Sequence, residues 1–133
     1  MPELRFDPLR SEWVAYASDR NDRTFLPTDF CPLCPSGASG HSEVPVDDFE
    51  VVVLENRFPA FGPDRVDGRP VGPAGTGCEV VVYTARHELT LADLPRDRVT
   101  LLVDVWADRY RELGGRPEVA YVFILENKGG RWA

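Results

Sequence analysis

Only one stretch of this chain repeats its apolar residues at the period of an α-helix. Val99, Leu102, Val103, Trp106, Tyr110 and Leu113 recur three or four residues apart, and Gly114-Gly115 supplies a stop. Thr90-Leu91-Ala92-Asp93 reads as the start of that helix, with a threonine hydroxyl to cap and a carboxylate three residues on to reciprocate. The stripe reads as a core face, with Arg98, Asp104, Asp108, Arg109 and Glu112 mostly outward. The other patterned segments are short and β-like. Glu12 to Ala17 mixes apolar and aromatic residues after a turn at Asp7-Pro8-Leu9, Phe49 to Leu54 is valine-rich, and Cys78 to Tyr83 is a further strand. Val119 to Leu125 reads as a central strand that closes the pattern. Strands separated by loops, one long helix and a last strand predict an α+β domain, a mainly antiparallel sheet with the helix packed on it. Residues 62–77 contain eight Gly or Pro, which predicts a long loop without regular structure.

At 133 residues the chain has room for one domain with a hydrophobic core and not for two. Three cysteines are too few for a secreted disulfide framework, and Met1-Pro2-Glu3-Leu4-Arg5 has no apolar signal core, so a reducing cytoplasm is expected. No apolar run approaches the roughly 20 residues that span a bilayer, which gives a membrane role no support. The net charge of -7 argues against a nucleic-acid partner, whose binding needs a basic face that releases counterions. Lys128 is the only lysine, yet the arginines leave room for a local phosphate site, because one guanidinium grips two phosphate oxygens.

Cys31-Pro32-Leu33-Cys34 is half of a metal site, and no second Cys-x-x-Cys pair completes it. Zinc takes four tetrahedral ligands from sulfur and imidazole nitrogen. The two histidines are His41, in a polar segment after Ser36-Gly37-Ala38-Ser39-Gly40, and His87, at a turn after a strand. His87 is the better third ligand, and the sequence shows no fourth. The spacing alone is equally open to a redox pair or to two ordinary loop cysteines.

Asp7-Pro8-Leu9 with Glu12-Trp13-Val14, the loop bearing Arg20 and Arg23, Cys31-x-x-Cys34, Asn56-Arg57-Phe58-Pro59-Ala60, the strand leading to His87, and Glu126-Asn127-Lys128-Gly129 stand in a telling order. In order and rough spacing they resemble the N-terminal part of the galactose-1-phosphate uridylyltransferases, from about Leu4 to Gly129. The resemblance implies a histidine-triad-like fold, an antiparallel half-barrel with helices outside. It also implies galactose metabolism: a histidine attacks the α-phosphate of UDP-glucose, glucose 1-phosphate leaves, and galactose 1-phosphate collects the uridylyl group. It makes Cys31, Cys34 and His87 zinc ligands. Arg20 and Arg23 match the phosphate loop, Arg23 being the better candidate for the diphosphate. Asn56, Arg57 and Phe58 match the turn that holds the uridine, and Asn127 matches a residue near the phosphates.

Family members continue past Asn-Lys-Gly to His-Pro-His-Gly-Gln, whose histidines supply the fourth zinc ligand and the nucleophile. Here Gly130-Arg131-Trp132-Ala133 stands instead, so neither histidine has a counterpart. His87 cannot serve twice, because a metal occupies the lone pair that attack on phosphorus requires. The expectation is that residues 1–133 form the N-terminal part of an uridylyltransferase domain, inactive alone and completed by a C-terminal chain or a homodimer partner. The alternative is a non-catalytic, zinc-stabilised module that binds a nucleotide or a protein.

Overall fold

The computed structural model describes residues 2–17, 29–35, 42–57, 59, 64–66, 69–71 and 77–126. Among these residues, six strands and one long helix give an α+β arrangement. β1 (Pro2–Asp7) and β2 (Glu12–Ala17) form an antiparallel hairpin in the register Pro2↔Ala17 to Asp7↔Glu12. Its turn is built by Asp7, whose Oδ1 accepts the backbone N–H groups of Leu9 at 2.9 Å and Arg10 at 3.4 Å. Ser11 closes that turn with φ of 55°, a left-handed conformation that disfavours side chains with a Cβ. Phe6 lies opposite Trp13 with ring centroids 5.4 Å apart and planes tilted by 57°, a cross-strand aromatic pair.

β3 (Val52–Glu55) pairs with β6 (Glu79–Val82), again antiparallel, from Val52↔Val82 to Glu55↔Glu79. Between them the chain makes a third pair, β4 (Asp64–Val66) with β5 (Arg69–Val71). These strands correct the expectation of a structureless loop over 62–77. Gly and Pro flank each strand, while Asp67-Gly68 between them is a preferred two-residue hairpin sequence. A single sheet was expected as well, whereas the described residues form three separate two-stranded sheets and no closed barrel.

α1 (Arg96–Gly114) is the predicted helix, but it begins later than its sequence signal. Thr90 and Asp93 do reciprocate: the Thr90 N–H and hydroxyl donate to Asp93 Oδ2 at 2.8 and 2.6 Å, which holds the Asp93 carboxyl below its usual pKa. They close a single 3-10 turn, Leu91–Asp93, and not the helix. The reason is Pro95, which biases the residue before it away from helical angles: Leu94 is extended at ψ of 138°, and α1 restarts after Pro95. The Gly114-Gly115 stop holds, with the Gly115 N–H donating to the Arg111 carbonyl at 2.9 Å.

The helix also faces a little differently from its stripe. Leu102 is 1% exposed and Val99, Trp106 and Leu113 are half-buried, but Val103 and Tyr110 are about half exposed. Arg98 and Arg109, expected outward, lean instead onto the segment before β3 and onto β6. Residues 98, 102, 105 and 109 lie on one face at i, i+4, i+7 and i+11, so long arginine stems lengthen the apolar face while their charged heads find carboxylates. Arg98 donates from Nη2 to the Glu50 carbonyl and lies 3.6 Å from its carboxylate. Arg109 grips Glu79 on β6 in a two-point fork, Nε to Oε2 at 2.9 Å and Nη2 to Oε1 at 2.8 Å. At the C-terminal end of α1, Gly77 allows close approach: a Cβ there would sit 2.9 Å from Leu113 Cδ2.

The segment Val119–Leu125 corrects a further expectation. It is not a strand among the described residues; no ladder pairs it, and Tyr121, Phe123 and Leu125 are 75%, 71% and 62% exposed. A strand exists through its partner, and high β-propensity without one leaves a segment with no ladder. Only Val44 and Leu102 are fully buried among the described residues. No described helix is long and apolar enough to cross a membrane.

The Arg109–Glu79 fork is the one two-point ionic tie between α1 and a strand among the described residues. A double-mutant cycle with Arg109→Met and Glu79→Gln, followed by urea denaturation, is expected to give a coupling of about 1–2 kcal/mol, above that of an exposed ion pair. A coupling near zero would show the fork to be ornamental.

Candidate functional site

The two thiols of Cys31 and Cys34 are brought together by a tight turn, in which the Cys34 N–H donates to the Cys31 carbonyl at 3.4 Å. The short segment 42–44 braces it from outside. Glu43 N–H donates to the Pro32 carbonyl at 2.7 Å, and the Ser42 hydroxyl reaches the carbonyls of both Pro32 and Cys34. That hydroxyl also accepts the Val44 N–H at 2.9 Å, and Val44, completely buried, bridges to Pro35. One serine thus engages two carbonyls of the knuckle and ties them to the Val44 N–H of the bracing segment, contacts that a Cys-x-x-Cys turn cannot make internally.

His87 arrives from the other side, on the turn that follows β6. The Thr84 hydroxyl accepts the Arg86 N–H at 3.1 Å and the Leu89 N–H returns to the Arg86 carbonyl at 3.3 Å, which sets the ring against the knuckle. His87 Nδ1 lies 3.4 Å from Cys34 Sγ, and the ligand atoms of Cys31, Cys34 and His87 all lie within 4.8 Å of one another. The cysteines are half-buried and all three cysteines of the chain are free thiols. The three-residue cluster expected from the sequence is therefore assembled with His87; His41 lies outside the described residues.

The donor set suits a soft, tetrahedral cation. A zinc ion with Zn–S of about 2.3 Å and Zn–N of about 2.0–2.1 Å separates its ligand atoms by roughly 3.5–3.8 Å, within the span of this cluster. The local electrostatics agree. Burial, then the hydrogen bond and charge of Cys31, then the charge of Glu88, push the Cys34 thiol up to about 11. A divalent cation would offset the causes that keep the Cys34 thiol protonated.

Asn56 and Arg57 stand at the opposite end of the same ladder. β3 leads into Asn56 and β6 leaves Cys78, so the next pair beyond Glu55↔Glu79 is Asn56 with Cys78. The Asn56 N–H donates to the Cys78 carbonyl at 2.8 Å, and Asn56 Nδ2 donates to Cys78 Sγ at 3.4 Å. Arg57 is exposed. His87 follows the Val82 end, so the ladder, roughly 10 Å long at ~3.3 Å per residue, lies between the Cys31-Cys34-His87 cluster and the Asn56 turn. Arg20, Arg23, Phe58 and Asn127 lie outside the described residues. The Tyr83 hydroxyl donates to Glu126 Oε1 at 3.2 Å, tying the residue before Asn127 to the end of β6. Burial and that bond hold the phenol above its usual pKa. The roles of Cys78, Ser42 and Tyr83 were not read from the sequence. The first was available in principle, because aligning two valine-rich runs antiparallel sets Cys78 against Asn56.

Over residues 1–132 the chain matches the family described as galactose-1-phosphate uridyl transferase, N-terminal domain. It is 36% identical over 137 residues to a galactose-1-phosphate uridylyltransferase of Thermotoga maritima, an alignment that covers 97% of this chain and 42% of the relative. With the galactose-1-phosphate uridylyltransferase of Streptomyces lividans the identity is 41% over 128 residues, 96% of this chain and 33% of the relative. An ADP-glucose phosphorylase of Arabidopsis thaliana is 24% identical over 157 residues, 96% of this chain and 44% of the relative. The chain thus spans between 33% and 44% of the length of these three relatives.

Metal binding to the knuckle must release thiol protons, so affinity is expected to rise with pH, up to about 100-fold per pH unit while both thiols are protonated. Cobalt(II) titration, read by thiolate charge-transfer absorption, should show one ion per chain and lose that band in Cys34→Ser. In the metal-free chain the folded state keeps the Cys34 proton after the unfolded state has lost it. Stability should therefore fall as pH rises from 9.0 towards about 11, and urea denaturation across that window checks the sign. Stability that is flat or rising there would contradict the protonated thiol.

Proposed function

The chain belongs to the galactose-1-phosphate uridylyltransferase family, and we propose from that membership that it forms the nucleotide-holding, zinc-binding N-terminal part of an enzyme of galactose metabolism. The reaction is transfer of a uridylyl group from UDP-glucose to galactose 1-phosphate through a histidine intermediate. The observation that carries this reading is the family match over residues 1–132, joined to a Cys31-Cys34-His87 cluster of zinc-like chemistry at one end of the β3–β6 ladder. The fold is of the histidine-triad-like type, the β3–β6 ladder and α1 belonging to an antiparallel half-barrel with its long helix packed outside. Its place is the cytoplasm, where free thiols such as these persist.

In this reading Cys31, Cys34 and His87 would hold the zinc, which would cross-link the knuckle to the turn after β6. Asn56, Arg57 and Phe58 take the nucleoside, the amide by hydrogen bonds and the ring by stacking. Arg20, Arg23 and Asn127 face the phosphates, and Arg23 neutralises charge that gathers on the α-phosphate oxygens as the bond to glucose 1-phosphate breaks. The nucleophilic imidazole comes from beyond these residues, from a C-terminal segment or a homodimer partner, because a metal held by His87 would occupy the lone pair that attack on phosphorus requires. The 24% identity to an ADP-glucose phosphorylase favours a second reading in which the same turn holds an ADP-sugar. Competition between UDP-glucose and ADP-glucose decides between them.

The isolated 133-residue chain is expected to bind UDP-glucose without turning it over. Supplied with a segment that carries His-Pro-His-Gly-Gln, it should convert UDP-glucose and galactose 1-phosphate, and Arg23→Ala should lower kcat/KM by about 100-fold, the loss of one charge-assisted contact. Turnover by the pure chain, abolished by Arg23→Ala, would refute the assignment of the nucleophile to another segment. Absence of any UDP-glucose binding would leave a protein-binding zinc module as the better account.

A further inference from the structure

A side-chain amide is an ambivalent reader of bases. Half a turn about its terminal bond exchanges C=O for NH2 at nearly the same places, so an unrestrained amide serves a donor or an acceptor equally. Uracil offers an N3–H donor between two carbonyls, whereas cytosine offers an N3 acceptor beside an amino group. Discrimination between them needs an amide that is held from behind.

Asn56 is held in that way. Its backbone N–H and its Nδ2 both donate to one residue, Cys78, at 2.8 Å to the carbonyl and 3.4 Å to the sulfur. Asn56 and Cys78 are both half-buried, which reduces the competition of water for the side-chain bond. The anchor is itself braced, because the next residue, Glu79, pairs with Glu55 in the ladder and receives the Arg109 fork from α1. With Nδ2 tethered to sulfur, Oδ1 is fixed on the side of the amide away from Nδ2.

We propose that Cys78 is a positioning residue which locks the Asn56 amide and thereby makes the site prefer uracil to cytosine. The inference rests on the reading of Asn56 as the base-facing amide. Cys78 touches no substrate in this account; it acts through Asn56 alone.

The test measures binding of uridine 5'-monophosphate and cytidine 5'-monophosphate to the full zinc-loaded chain by calorimetry, in the wild type and in Cys78→Ala, Cys78→Val and Cys78→Ser. The wild type should favour the uridine nucleotide, and Cys78→Ala should erode that preference about 3- to 10-fold, the worth of one hydrogen bond. Cys78→Ser keeps an acceptor and should restore most of the preference, which a purely structural role for sulfur would not. Should Cys78→Ala fail to fold, Cys78→Val, whose shape suits entry to a strand, carries the comparison. An unchanged preference in the folded Ala or Val variant overturns the role of Cys78 and leaves the uridine reading standing. A wild-type chain that binds neither nucleotide, or both equally, overturns the uridine reading itself.

Discussion

The four-residue ladder between β3 and β6 is the element on which the rest of this structure depends. Its two strands are separated by 23 residues and it fixes three things at once. At the Val82 end it releases the turn that carries His87 to the thiols of Cys31 and Cys34. At the Glu79 end it sets Cys78 against Asn56. From that same end it offers Glu79 to Arg109 and so receives the helix. A shift of one residue in its register would turn every side chain to the other face and separate all three associations together.

What the sequence allowed to be read, and what it did not, follows from the range of the interactions involved. The helix was legible because Val99, Leu102, Trp106 and Leu113 encode it locally, and its Gly114-Gly115 end needs no distant partner. The Cys31-Cys34-His87 cluster was legible because Cys31 and Cys34 are close in sequence and only two histidines compete for the third place. The start of α1 was misplaced because two signals conflicted, a reciprocal Thr90–Asp93 pair and a proline two residues later, and proline prevails by steric exclusion. Arg98 and Arg109 depart from the outward face that their charge predicts, because a long apolar stem lets an arginine lie along a core face. Val119–Leu125 carries strand composition without a strand, since pairing is a property of two segments and composition belongs to one. The opposition of Asn56 and Cys78, 22 residues apart, depends on register and could be reached only by aligning the two valine runs.

Few described side chains are fully buried, and three two-stranded sheets offer little mutual cover. Stability is consequently concentrated in discrete polar ties. The Ser42 hydroxyl closes the knuckle, the Arg109 fork fastens α1, and the Tyr83 hydroxyl pins Glu126. A metal in the thiol–imidazole cluster adds a tie of another order, because its binding energy enters the folding free energy directly. It would join residues 31–34 to residue 87 across more than fifty positions of chain, a closure whose entropy no single hydrogen bond recovers.

The hairpin β4–β5 sits wholly within the excursion between Asn56 and Cys78, whose two ends are clasped by hydrogen bonds. Such an excursion behaves as a loop with welded feet. Doubling its length would cost only about 0.6 kcal/mol in closure entropy, while the clasp and the two sites beyond it keep their geometry. The hairpin β4–β5 can therefore be lengthened, shortened or redecorated at little cost, while Arg57 and Phe58 at one foot of the excursion and Gly77 at the other are left untouched, so new surface features have a ready place to grow.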